Sequence, residues 1–220
     1  MMNANLKAAP TSNAIEANAV IATILSRSAT KYYDPEAVLT DEQIAELVEI
    51  GTSAPTSFNL QNWRFVAVRS PEAKERLRPI AWNQPMSTEA AVTFVVIGQL
   101  ANASEVPERM RGVVKLGLMQ EAMLAEAEQG ARGIYDDNPQ QQRDEAVRTA
   151  TFGAAAIIYA ARSLGWGSTP MIGFDPDATI REYGLADNEI PVMLLAVGPE
   201  RKGNWPQKPR RSVLDVLSYR

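Results

Sequence analysis

Residues 138–164 read as a single helix long enough to organise everything around it. Asn138 is placed as N-cap, Pro139 as the first helical residue and Gln141 at the third, the signature of a well-started helix. Val147, Ala150, Thr151, Ala154, Ile157, Ile158, Ala161 and Leu164 then recur every three or four residues, and Gly165 closes the run. A helix of this length spans roughly 40 Å, the width of a whole domain. Its apolar face is built largely from small residues, so a second helix can approach closely, from the same domain or from a second subunit.

Three apolar runs are the strands that this helix can cover. Residues 63–69 form a Trp/Phe/Val strand, Val92–Ile97 is β-branched and buried by length, and Pro191–Val197 is the last clear buried strand. Helical patterns separate them. One begins near Asn13, with Ile15, Ala19, Val20, Ile21, Ile24 and Leu25 on its apolar side. Another follows Thr40-Asp41-Glu42-Gln43, a capping box, and turns Ile44, Leu47 and Val48 inward before Gly51. Pro71–Leu77 is a short helix after Ser70. Residues 106–129 are helical with weak points at Gly112 and Gly117, and Met119 and Met123 in that region are packing residues. Helices laid around a few buried strands make an α+β fold, and 220 residues at 45% apolar fit a single domain over 1–220.

The residues this chain lacks limit its chemistry. It has no cysteine and no histidine, which removes thiol nucleophiles, iron–sulfur ligands, Ser-His-Asp triads and His-bearing zinc sites; no metal site is expected. Were the chain an enzyme working near neutral pH, a bound cofactor would carry the reaction while the protein orients it. A net charge of −4 leaves no surplus of cations for nucleic acid or an anionic membrane. No apolar run is long enough to span a bilayer, and Met1–Pro10 lack the order of a signal peptide, so a soluble cytoplasmic protein is expected, with 1–12 as a flexible N-terminus.

Three neutral polar loops and two cationic clusters remain. Residues 52–62 concentrate Thr56, Ser57, Asn59 and Gln61 between a helix and a strand. This composition suits the polar edge of a neutral ligand, or simply a Pro/Ser/Asn-rich surface loop. Ala81-Trp82-Asn83-Gln84-Pro85 is the second, and Gly165–Pro176 is read as a third, its Gly-x-Gly letting backbone N–H groups approach a flat ligand and its Asp175-Pro176 capping a short helix that ends near Gly184. Arg27 and Lys31, four residues apart with hydroxyls between them, either grip a phosphate or lie solvated at a helix C-terminus. Lys208, Arg210 and Arg211 form the second cluster, and Ser212–Leu217 either joins a sheet edge or clasps a partner.

In chain order, Arg27-Ser28-Ala29-Thr30-Lys31, the run from Ala54 to Phe65, Pro170-Met171-Ile172-Gly173-Phe174-Asp175 and Lys208-Pro209-Arg210 resemble the nitroreductase family of FMN enzymes, from about residue 20 to the end. The resemblance implies an α+β sandwich with a mainly antiparallel sheet flanked by helices, and a homodimer with FMN at the subunit interface. Arg27, Ser28, Lys31, Lys208 and Arg210 would meet the FMN phosphate and ribityl chain. Pro55, Thr56, Ser57 and Asn59 would come from the other subunit, and residues 202–220 would pack on that subunit as a C-terminal extension. Gln84, with Asn83, would reach the ribityl chain or ring edge. Pro170, Met171, Ile172 and Gly173 would flank the ring, with the Ile172 and Gly173 N–H groups on its N5 side. Phe58, Trp82 and residues 106–135 would shape the acceptor pocket.

No side chain is expected to be catalytic: NADH or NADPH would reduce the flavin, and a nitroaromatic, quinone or similar small acceptor would reoxidise it in ping-pong order. Ala29, Asn62 and Ile172 depart from the family's usual Ser, Pro and Glu. Two other readings compete with the enzyme, namely a flavin-storage protein without substantial turnover and a cofactor-free helical interaction module.

Overall fold

The computed structural model describes residues 14–220, with side chains from residue 18 onward; the expected flexible segment 1–12 lies outside the described residues. Four strands, β1 (Trp63–Val68), β2 (Val92–Gln99), β3 (Gly167–Met171) and β4 (Glu189–Gly198), form an antiparallel sheet in the order β1-β2-β4-β3. This α+β architecture agrees with the sequence reading.

Central strand β2 is buried on both faces, and its alternation divides the core in two. Val92, Phe94 and Val96 meet one helical layer, made by α2 (Asp41–Gly51) and the long helix α7 (Pro139–Ser163). Val95 and Ile97 point to the opposite layer, with Leu77 and Ile80 of α3 (Pro71–Ile80), Leu185 and Phe174. Met86 of the short helix α4 (Met86–Glu89) and Ala178 of α8 (Pro176–Tyr183) pack there as well.

The expected caps are in place. The Thr40 hydroxyl accepts from the Gln43 N–H while the Gln43 amide oxygen accepts from the Thr40 N–H, and Asn138 and Asp175 cap α7 and α8.

The buried face of α7 is wider than expected. Ala146, Thr149, Gly153 and Ala160 join it, whereas Thr151 and Leu164 are exposed. The cause is close approach: a Cβ on Gly153 would stand 3.1 Å from the Phe65 ring, and one on Gly51 2.6 Å from Ile157, so α2 and β1 lie almost against the α7 backbone. A further departure is that the 106–129 segment is two helices, α5 (Val106–Lys115) and α6 (Met123–Tyr135). The chain turns between them through Gly117 at φ 71°, while Gly112 stays helical.

Strand β3 overturns the reading of 165–176 as a loop. Gly, Ser, Thr and Pro are poor strand formers, but β3 is the edge of the four-stranded sheet, a position where proline is tolerated. The residues read as ligand-facing Gly-x-Gly also have other uses. Gly165, at φ 81°, turns the chain out of α7, and a Cβ on Gly167 would collide with the Thr30 hydroxyl and the Glu200 side chain. Residues 212–217 add no strand; their one regular element is an exposed 3₁₀ turn at Val213–Asp215.

The sheet also carries a polar lock. Arg64 on β1 donates two bonds, of 2.8 and 2.7 Å, to the carboxylate of Glu189, which is 8% exposed at the start of β4. The Gln99 side chain and the Ala186 N–H complete the shell, each at 3.1 Å. The Arg64 hydrogen bonds, aided by those of Ala186 and Gln99, hold the Glu189 carboxyl below the ordinary carboxylate range. A depressed carboxyl contributes stability above its unfolded value, about 4.3, and loses it as pH falls through the folded value. Glu189→Gln should therefore be less stable than the parent at pH 7 by about 2 kcal/mol in chemical denaturation, and the gap should narrow as pH is lowered toward about 3.

Candidate functional site

Nearly everything the cationic motifs promised lies around one cavity of about 490 Å³. Arg27, Ser28, Ala29, Thr30 and Lys31 form one wall as the chain leaves α1 (Ala14–Ser26). Pro170, Met171, Ile172 and Gly173 form another where β3 ends, and Trp205, Pro206, Gln207, Lys208 and Arg210 close it from the C-terminal tail. Gln84, Met86 and Thr169 complete the lining. Among the described residues, four cations and no carboxylate line this space, so its potential favours an anion.

The cationic segment is tied in beside β3 by isolated bridges. Ala29 pairs in parallel with Ser168, through the Thr30 N–H to the Ser168 carbonyl at 3.2 Å, and Tyr33 pairs antiparallel with Glu200. Thr30, 1% exposed, donates its hydroxyl to Glu200, and Thr169 donates to the Thr30 carbonyl. Beneath them the Tyr33 hydroxyl lies 3.2 Å from both Thr169 Oγ1 and the Ala196 carbonyl, and burial pushes its pKa well above the ordinary tyrosine value. Arg162, at the end of α7, donates to the Ser26 hydroxyl at 3.0 Å and stands 3.7 Å from Glu200. The end of α1 is therefore tied to the same frame.

Gln84 reaches the cavity in a restricted way. Its Nε2 donates to the Gly173 carbonyl at 2.6 Å and to the Ala81 carbonyl at 3.1 Å, so the amide oxygen is the group left to face a ligand. Space at Gly173 is tight, since a Cβ would lie 3.1 Å from both the Gln84 amide and the Trp82 ring. Trp82 and Asn83 adopt left-handed φ values of 52° and 58° and are not part of the lining; Trp82 is 64% exposed beside Gly173. Ile172 does line the cavity and is 84% exposed.

The 55–59 loop lies elsewhere on the chain, away from this cavity's lining. Phe58 and Asn59 have φ values of 49° and 52°, an arrangement that bulky residues rarely adopt. α5 and α6 hold the loop: Asn59 donates to the Arg109 carbonyl at 2.9 Å, the Tyr135 hydroxyl donates to Ser57 at 2.9 Å, and Phe58 packs edge-on against Tyr135. Thr56 accepts from the Gln61 N–H, and Pro55 is exposed. Asn62 is buried, its Nδ2 donates to the Gln99 carbonyl at 2.7 Å, and its Oδ1 has no partner among the described residues.

Sequence reasoning missed Thr30, Thr169, Glu200, Asn204, Trp205 and Gln207. Of these, Thr30 stood inside a recognised motif, and the rest are ordinary polar or aromatic residues that only contacts between distant parts of the sequence bring together.

Among the described residues no helix is long and apolar enough to cross a membrane, and no cluster of acidic residues could hold a metal ion.

Known proteins are similar to this chain in sequence and in fold. Protein DrgA of Synechocystis sp. PCC 6803 is 34% identical over 85% of this chain and 86% of its own length. YodC of Bacillus subtilis, named provisionally as an NAD(P)H nitroreductase, is 27% identical over 79% of this chain and 85% of its own. An Exiguobacterium sibiricum protein crystallised in complex with FMN superposes with a TM-score of 0.84 at 24% identity, covering 91% of this chain and 97% of that one. The model of the nitroreductase family matches residues 24–199, and with the motifs at 27–31, 54–65 and 170–173 inside that span, the chain belongs to the nitroreductase family.

Proposed function

We propose that this protein is an FMN-dependent oxidoreductase that takes hydride from NADH or NADPH and delivers it, in ping-pong order, to a nitroaromatic, quinone or similar small acceptor. The observation that carries this reading is the meeting of Arg27, Lys31, Lys208 and Arg210 in one cavity that no carboxylate lines among the described residues and that Pro170–Gly173 borders. The volume falls within the range of cofactor pockets, about 300–1,000 Å³. The residues fit the group. Four cations and the Ser28 hydroxyl suit a phosphate, and the acceptor-only face of Gln84 suits a ribityl hydroxyl or a ring N–H. The glycine at 173 keeps that wall free of side-chain bulk.

When bound, FMN supplies the two-electron chemistry that the side chains lack. The chain's own part is positional. Arg27, Lys31, Lys208 and Arg210 neutralise the phosphate, and the N–H groups of Ile172 and Gly173 offer donors to the ring. Exposed Ile172 and Trp82 present apolar surface at the rim. Using one rim for donor and acceptor in turn is what makes the order ping-pong.

The second subunit belongs to the same proposal. Val20 and Leu25 on α1 are 61% and 64% exposed, and with Ile21, Ile24, Ile50 and Tyr159 they form an apolar surface suited to another copy. That copy would bring Pro55, Thr56, Ser57 and Asn59 to this cavity, and Phe58 with the 106–135 segment to its acceptor side. The exposed apolar residues of 213–219 would clasp it.

Anaerobic addition of NADH or NADPH to the FMN-loaded protein should bleach the flavin absorbance, and a quinone should restore it, with parallel double-reciprocal plots in steady state. A yellow protein that neither nucleotide bleaches would be a storage protein, and one that stays colourless after incubation with FMN would have no flavin role at all. Arg27→Ala combined with Arg210→Ala should weaken FMN binding, measured by fluorescence quenching, by at least about a hundredfold, since each charge-assisted contact contributes about 1.5–3 kcal/mol. Unchanged affinity would show that these cations only face solvent.

A further inference from the structure

Asn204 sits where the two cationic segments meet. Its Oδ1 accepts from the backbone N–H groups of Lys31 at 2.7 Å and Tyr32 at 2.9 Å. Its Nδ2 donates to the carbonyls of Tyr32 at 2.9 Å and Arg201 at 3.0 Å. A side-chain amide has two donors and an oxygen with two lone pairs, so all its capacity is spent inside the protein. No part of this amide is left for a ligand, which makes it a joint and not a contact residue.

The joint binds two stretches far apart in sequence. Upstream lie Arg27 and Lys31; downstream lie Lys208 and Arg210. Two further ties run beside it, from the Arg201 N–H to the Tyr32 carbonyl at 3.0 Å and from the Gln207 amide to the Arg27 carbonyl at 3.2 Å. The lysines rest on aromatic rings flanking the joint: Lys31 Nζ is 5.2 Å from the Tyr32 centroid and Lys208 Nζ 5.9 Å from that of Trp205. Cations gathered in one cavity repel each other, so the backbone must hold them there before an anion arrives. Most of the tail beyond residue 204 is exposed and has little packing of its own to resist that repulsion.

We propose that Asn204 is the positioning residue of the phosphate end: it fastens the C-terminal tail to the 27–32 segment so that Lys208 and Arg210 are preorganised beside Arg27 and Lys31. This rests on the reading of the cavity as an FMN site. It predicts that the amide serves the phosphate and not the flavin ring.

Riboflavin and FMN differ only by the phosphate, so their affinity ratio isolates that role. In fluorescence titrations the parent protein should bind FMN far more tightly than riboflavin. Asn204→Ala should weaken FMN by about tenfold or more, the effect of losing one well-placed charged contact, with riboflavin affinity unchanged within about twofold. Asn204→Leu keeps the side-chain volume, adds no charge and loses all four bonds. It should move the ratio in the same direction, and it decides the matter if the alanine variant does not fold. An unchanged ratio in the variants, or parallel loss of both ligands, would overturn the positioning role. A parent protein that binds the two flavins equally would instead overturn the reading of the cavity itself.

Discussion

The site depends on how residues 27–34 are held. This segment has no place in the four-stranded sheet proper, yet it is bonded on one side to edge strand β3 and on the other to the chain that leaves β4. The Thr30 N–H reaches the Ser168 carbonyl, the Asp34 N–H reaches the Pro199 carbonyl at 2.9 Å, and the Thr30 hydroxyl reaches Glu200. Buried Tyr33 anchors the segment to the core through Thr169 and the Ala196 carbonyl. The cations at 27 and 31 thus stand on a frame fixed at several points, and preorganisation of that kind lets a binding site act without first ordering itself.

The same frame explains some costly local choices. Gly167 has to be bare because Thr30 and Glu200 occupy the space where its Cβ would be. Pro170 can stand in β3 because that strand is an edge, and there it begins the Pro170–Gly173 wall of the cavity. Trp82 accepts a left-handed backbone that bulky residues avoid, and its ring then backs Gly173 while Gln84 holds the Gly173 carbonyl. Left-handed backbone thus occurs beside the cavity at Trp82 and Asn83 and again in the separate loop at Phe58, Asn59 and Gln61.

The regular parts were legible in the sequence because each is signalled locally. Caps at Thr40, Asn138 and Asp175, the β-branched run of β2 and the spacing along α7 depend on residues near one another, and they were read correctly to within a few positions. Strand β3 was not legible, since Gly-Ser-Thr-Pro carries loop propensity and becomes a strand only when β4 and the 27–34 segment lie beside it. The width of the α7 face was hidden for a similar reason: Gly153 and Ala146 are buried because strands and a helix come unusually close, which periodicity alone does not report. In the site, the charged residues stood out as motifs, while Asn204 and Glu200 act through bonds spanning some 170 residues of sequence.

A chain without histidine or cysteine has little side-chain means of moving electrons or protons near neutral pH. Its sequence instead invests in a rigid cationic cavity that joins residues from both ends of the chain. The most direct measurement of that account is a crystal structure of the protein grown with FMN. The account predicts the phosphate within hydrogen-bond distance of Arg27 and Arg210 of one chain and the ring edge along Ile172 and Gly173. A phosphate bound elsewhere, with these cations turned to solvent, would contradict it.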